Sequence, residues 1–186
     1  MTLRFLRLLA LQLLLTFACA QAQAENVDIT RANIEASEEG YKLAAAYAFE
    51  LNEELENAIE HGVPLFFTTQ VELTRPRWYW YDDKAVSQRQ TMRIKYDVLT
   101  RLYQVSVTGS MQQSFSTLED AMVLIRRPSR WLLAPRGALK PGESYNVTLR
   151  MFMDRERMAK PIQVNAFSSS QWRLESKDKK FQYRAE

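Results

Sequence analysis

From Leu65 to Leu73 the chain alternates: Leu65, Phe67, Thr69, Val71 and Leu73 on one side, Phe66, Thr68, Gln70 and Glu72 on the other. Side chains of a strand point to opposite faces with a period of two, so this run reads as a strand with one buried and one solvated face. The pattern recurs in Tyr41, Leu43, Ala45, Tyr47, Phe49 and in Met92, Ile94, Tyr96, Val98 against Arg93, Lys95, Asp97. It returns in Tyr103, Val105, Val107, in Tyr145, Val147, Leu149, Met151, Met153, and in Ile162, Val164, Ala166. An opening strand from Val27 to Ala36 slips register between Ile29 and Ile34, as a β-bulge would make it do. Turn residues separate the runs: Ser37 to Gly40, Leu99 to Arg101, and Lys140-Pro141-Gly142-Glu143, which puts Pro and Gly at the central positions of a type II turn. Such short connections join antiparallel neighbours. The expected fold is mainly β, an antiparallel β-sandwich with immunoglobulin-like layering; a curled barrel would produce the same alternation.

Two short amphipathic helices interrupt the strands. Asn52 can cap a segment with Glu53 and Glu54 in its first turn and Leu51, Leu55, Ala58 and Ile59 along one stripe, closed by His61, Gly62 and Pro64. The second opens on a capping box, Ser116-Thr117-Leu118-Glu119, carries Leu118, Ala121, Met122 and Ile125, and stops at Arg126, Arg127 and Pro128. Each has a single apolar stripe to bury, as expected of helices that cap a sheet structure.

The first 24 residues have the three-part grammar of a secretory signal: Arg4 and Arg7, an apolar run from Leu8 to Cys19, and small residues at Ala22 and Ala24. A bilayer span needs about 20 apolar residues, and Gln12 interrupts this shorter run. Cleavage after Ala24 is expected, and with it a periplasmic protein without a transmembrane span. Thr16 and Phe17 stand where a lipoprotein signal would have other residues, which argues against lipid anchoring through Cys19. Residues 25–175 then form a single domain, and 176–186 a polar, flexible tail that includes Lys177, Lys179 and Lys180. The only cysteine leaves with the signal, and with it any disulfide, thiolate metal site or cysteine nucleophile. The 25 Lys and Arg against 22 Asp and Glu become 23 against 22 once Arg4 and Arg7 are gone, a balance with no nucleic-acid footprint.

Catalytic chemistry finds little to build on. His61 is the only histidine and sits at the end of a predicted helix, where the helix dipole favours it; one histidine without cysteine cannot supply zinc's usual ligand set. No metal or cofactor is expected, and none of the five glycines forms a phosphate-cradling pattern. Asp82 and Asp83 could be half of a glycosidase carboxylate pair, a cell-wall glycan hydrolase being the enzymatic alternative, but adjacent acids between strands read more simply as a turn.

The segment Arg75-Pro76-Arg77-Trp78-Tyr79-Trp80-Tyr81 is the least ordinary of the chain. On a strand, Trp78 and Trp80 would face one way and Tyr79 and Tyr81 the other, so one ring pair must lie outside the core unless something covers it. Tryptophan and tyrosine beside arginine are the material of interface hot spots and of sugar-stacking platforms. Arg75, Arg77, Trp78, Tyr79, Trp80 and Tyr81 are therefore the candidate binding surface. A purely structural envelope protein would bury all four rings.

The acidic first helix ending near GVPLFFTTQVEL, the RPRWYWYDD block, RIKYDVLTRLYQV, SFSTLEDAM, RGALKPGESYNVTLRM and the closing PIQVNAFSSSQWRL with Trp172 together resemble the exported proteobacterial family known as domain of unknown function 4390. The resemblance covers essentially the whole chain after the signal. It implies a single-domain envelope protein without an assigned reaction, whose relatives are often encoded near a membrane sensor kinase of the nitrogen-regulation type. A sensor-kinase ectodomain or an envelope polymer is the partner this suggests.

Overall fold

The structure, a computed structural model, describes residues 26–77, 83–128 and 130–186. The expected signal, residues 1–24, lies outside the described residues. The chain runs β1 (Asn26–Ala36), β2 (Gly40–Ala48), α1 (Glu53–Glu60), β3 (Leu65–Arg75), β4 (Asp83–Asp97), β5 (Leu102–Val107), β6 (Gln113–Phe115), α2 (Leu118–Arg126), β7 (Trp131–Pro135), β8 (Ser144–Met153), α3 (Lys160–Ser168), β9 (Glu175–Ser176) and β10 (Lys179–Arg184). Short 3-10 turns at Arg155–Arg157 and Ser170–Trp172 flank α3.

The strands join in one sheet, ordered β6-β5-β4-β3-β8-β9-β1-β2-β7, with β10 on β8. Every pair is antiparallel except β1 with β9, which run parallel through Asn26 opposite Glu175 and Val27 opposite Ser176. The expected antiparallel arrangement is thus corrected to a curled, mixed sheet. The parallel pair brings together the first and last thirds of the chain, and local turn chemistry carries no information about such a pairing.

The core lies inside the curl. Leu65, Phe67, Val71 and Leu73 of β3 and Tyr145, Val147, Leu149, Met151 and Met153 of β8 form one wall, and Tyr41, Leu43, Ala45 and Tyr47 of β2 contribute from the other end of the sheet. Tyr47 and Thr69 bridge the two by a hydroxyl–hydroxyl bond of 3.0 Å, and burial pushes the Tyr47 phenol up to about 12. Helix α1 inserts Leu55 and Ile59, α2 inserts Ala121, Met122 and Ile125, and all are essentially without solvent contact. Leu55, Ile59, Met122 and Ile125 each stabilise the fold by roughly 1.5–3 kcal/mol relative to an exposed side chain.

Local chemistry explains the connections. The β1–β2 register shifts between Ile29 and Arg31, the bulge that lets Ile29 and Ile34 both reach the core. Glu143 N–H donates to Lys140 C=O at 3.2 Å and Gly142 has φ +79°, the type II geometry that only glycine adopts without strain. Gly40 has φ +142° and lies so close to β7 that a Cβ would stand 2.1 Å from the Ala134 carbonyl oxygen.

Asn52 caps α1 by accepting from Leu55 N–H at 3.0 Å. For α2 the cap is Thr117, not Ser116: its hydroxyl accepts from Asp120 N–H at 3.1 Å, so the capping motif sits one residue later than the Ser-x-x-Glu reading.

Two segments differ more from expectation. Ile162, Val164 and Ala166 lie in helix α3, not in a strand: Ala166 is fully buried while Val164 is 71% exposed, an asymmetry that a period of two forbids. Pro161 fits the first helical turn, where no N–H partner is needed. A three-point apolar run is too short to separate the two periods. The polar C-terminal segment, expected to be flexible, forms β10, paired with β8 from Lys179 opposite Leu149 to Arg184 opposite Ser144. Phe181 and Tyr183 pack against the core and Ala185 is buried, so an alternation was present beneath the charges.

Candidate binding surface at the β3–β4 hairpin end

Strands β3 and β4 form the longest ladder of the sheet, from Leu65 opposite Ile94 to Arg75 opposite Asp83. Residues 76–82 connect the two ends. Trp78, Tyr79, Trp80 and Tyr81 lie outside the described residues, as does Asp82. The described part of the candidate surface is therefore its neck. Near it the register shifts between Leu73 and Thr74, leaving Ala85 without a partner and increasing the twist of the hairpin end.

The neck is closed electrostatically. One carboxylate oxygen of Asp83 accepts from Arg75 at 3.0 Å and from Arg77 at 2.6 Å. Arg75 and Asp83 face each other across the ladder, and Arg77 reaches back from beyond the strand end. The hydrogen bond from Arg77, supported by the charges of both guanidiniums, holds the Asp83 carboxyl below the ordinary aspartate range against a smaller desolvation effect. One residue further in, Lys84 pairs with Glu72 at 3.3 Å, and Gln70 donates to the same carboxylate. The side chains are part-exposed, Arg77 at 36% and Asp83 at 41%, so the group is wet and the pairs individually weak. Their shared acceptor gives geometry more than energy.

Asp83 does not have the property a glycosidase general acid needs. A glycosidase general acid must keep its proton near neutral pH, which requires a raised pKa. Asp83 is pushed the other way. His61 Nδ1 donates to Asn57 C=O at 2.7 Å at the end of α1, a helix-terminal position. Among the described residues, no three His, Cys, Asp or Glu side chains converge as metal ligands, and no helix is long and apolar enough to cross a membrane.

The sequence reading missed other polar constructions. Trp172 is buried and its indole N–H donates to Glu54, while Asn52 Nδ2 donates to Gln171 C=O at 2.8 Å, so the start of α1 is pinned to the 3-10 turn before β9. Arg126 spans Phe49 C=O, Glu119 and Glu50 at 3.0, 2.7 and 3.2 Å and lies over the Phe49 ring. Two open cavities of about 320 and 400 Å³ flank the β1–β2 turn, one reaching Arg136 and Glu186, the other Lys42 and Arg130. These residues come from segments distant in the chain, and no local motif could have grouped them.

A family model described as Domain of unknown function (DUF4390) matches residues 24–182. No curated protein and no solved structure matches the chain.

Proposed function

The chain belongs to that family, the domain of unknown function DUF4390, and on this premise we propose that it is a periplasmic binding or accessory module of the cell envelope. It engages a membrane-protein ectodomain, that of a sensor kinase in the first instance, through Arg75, Arg77, Trp78, Tyr79, Trp80 and Tyr81. The observation that carries this reading is the neck: two arginines from the β3 side of the connection meet on one carboxylate at its β4 side. A segment whose ends are held together loses less conformational freedom on binding, and rigid aromatic anchors turn that saving into affinity. The signal-like first 24 residues support export, and the lowered pKa of Asp83 supports binding over acid catalysis by that residue. In the same reading the curl of the sheet makes two immunoglobulin-like layers, β1–β2–β7 against β3–β8–β10, supported by the Tyr47–Thr69 bond and by the Phe49 and Phe67 rings 5.8 Å apart.

The test is cross-linking and capture from intact envelopes. Wild type is compared with Trp78→Ala/Trp80→Ala, Tyr79→Ala/Tyr81→Ala and Asp83→Ala, each checked by circular dichroism. A membrane protein captured by wild type, and lost in a folded aromatic variant, is the expected result. An identical captured set in all four proteins would remove this surface from the function.

A further inference from the structure

Strand alternation sorts the side chains of β3, β4, β8 and β10 onto two faces. Leu73, Val86, Val147 and Phe181 mark the inner one. The register then places Lys84 and Arg89 of β4, Arg150 of β8, and Lys180 and Arg184 of β10 on the outer face. The acids there are Glu72 on β3 and Glu175 on β9, with Asp178 at the rim between β9 and β10. Further along the same face of β4, Arg93 and Lys95 add positive charge and Asp97 a negative one.

Rows across the sheet read Arg89–Gln70–Arg150, then Ser87–Glu72–Thr148–Lys180, then Lys84–Thr74–Asn146–Gln182. Neighbouring strands lie about 4.8 Å apart and successive rows about 7 Å apart, so the cations form a lattice over a patch some 15 Å wide. Between them stand mainly hydroxyl and amide side chains, with Glu72 in the middle row. None of the large exposed apolar residues of the described chain, such as Leu99, Met111, Val164 or Phe167, lies on these strands. Helices α1 and α2 bury their apolar stripes on the other side of the sheet.

Part of the positive charge is not neutralised. Lys84 pairs with Glu72 at 3.3 Å and Arg150 with Glu175 at 2.6 Å, both exposed pairs that exchange partners at little cost. Arg89 and Lys180 form no ion pair with a described residue, and Arg184 donates to the Gly142 carbonyl.

We propose that this outer face, distinct from the hairpin-end surface and not resting on it, binds an anionic glycan. The lattice of cations matches carboxylate or phosphate groups repeated along a chain, and the interleaved Ser87, Thr148, Asn146 and Gln182 match sugar hydroxyls. Other polyanions fit less well. A membrane surface needs an apolar face to insert, a protein partner needs a central apolar or aromatic anchor, and single-stranded nucleic acid needs rings to stack on. The face carries no exposed apolar patch, and the ring beside Arg150, Phe152, is half-buried with the guanidinium over it.

The experiment is calorimetric titration of the chain lacking residues 1–24 with oligogalacturonate, a sugar chain with one carboxylate per residue, in about 50 mM and about 500 mM salt. Neutral malto-oligosaccharide, anionic phospholipid vesicles and a polyglutamate peptide serve as comparisons. The proposal expects oligogalacturonate to bind at low salt, more weakly at high salt, and in preference to all three. Arg89→Glu/Lys180→Glu should weaken it about tenfold or more, and Arg89→Gln/Lys180→Gln by an intermediate amount with unchanged thermal stability. Trp78→Ala/Trp80→Ala should leave it unchanged, which separates this face from the proposed partner site. Absence of oligogalacturonate binding, insensitivity to both charge variants, or equal or tighter binding of vesicles or polyglutamate would overturn it.

Discussion

Asn52 performs two tasks with one amide, and substitution can separate them. Its oxygen caps α1 at Leu55 N–H, and its nitrogen ties the helix start to Gln171 C=O. Loss of an N-cap oxygen costs about 1 kcal/mol, and loss of a side-chain hydrogen bond a further amount of about 1 kcal/mol. Asn52→Ala removes both, so it should destabilise by about 2 kcal/mol. Asn52→Asp keeps the acceptor and loses the donor, and should cost about 1 kcal/mol. With a urea m-value of about 2 kcal/mol/M, the midpoints should fall by about 1 M and about 0.5 M respectively. Equilibrium urea unfolding followed by circular dichroism and by tryptophan fluorescence gives both midpoints. Equal shifts for Ala and Asp would mean that the cap contributes nothing. An Asp variant indistinguishable from wild type would remove the tether from the account of how the helix is positioned.

Leu55→Ala, at a site without solvent contact, should cost about 2–5 kcal/mol by the cavity it leaves, read from the same urea curves. Because its folded pKa lies below the unfolded value of about 3.9, Asp83 contributes stability that is present above that value and lost as pH falls through the folded pKa. In a carboxyl-carbon NMR titration Asp83 should titrate below ordinary aspartates, and Arg77→Ala should move it back upward; no movement would break the link between the two. Deleting residues 179–186 strips β8 of its β10 partner along Ser144 to Leu149 and uncovers Phe181's place in the core. Amide exchange of β8 should accelerate throughout that stretch, whereas a dispensable tail would leave it untouched.

The legible part of the fold follows from periodicity where runs are long. Five inward residues of β3 and five of β8 announce a half-buried strand because a one-residue slip would expose them all. The Ile29–Ile34 slip was readable for the same reason. Where the run is short the argument fails: Ile162, Val164 and Ala166 satisfy a strand pattern over three positions, and only the placement of Ala166 inside and Val164 outside identifies a helix. Strand β7 leaves no periodic signal in the sequence, because Trp131 to Pro135 shows no clean alternation and its burial follows the close approach to Gly40.

For the candidate site, the chain alone singled out aromatic and basic residues around position 78, because unusual composition is visible without a structure. It could not show that Arg75 and Arg77 both turn back onto Asp83, since that depends on the hairpin register and its bulge. Nor could it assemble Lys84, Arg89, Arg150 and Lys180 on one face, which takes four strands from three separate stretches of chain. By itself, then, the sequence determined the mainly β character, the Asn52 start of α1 and the Pro-Gly turn at Lys140 to Glu143, all of which are set by steric and hydrogen-bonding preferences within a few residues. Tertiary structure decided the strand order, the parallel closure of β1 on β9, the ordering of the charged C-terminus and the cross-strand pairing of Arg75, Lys84 and Arg150, because burial and long-range pairing energies outweigh local preference wherever the local signal is weak.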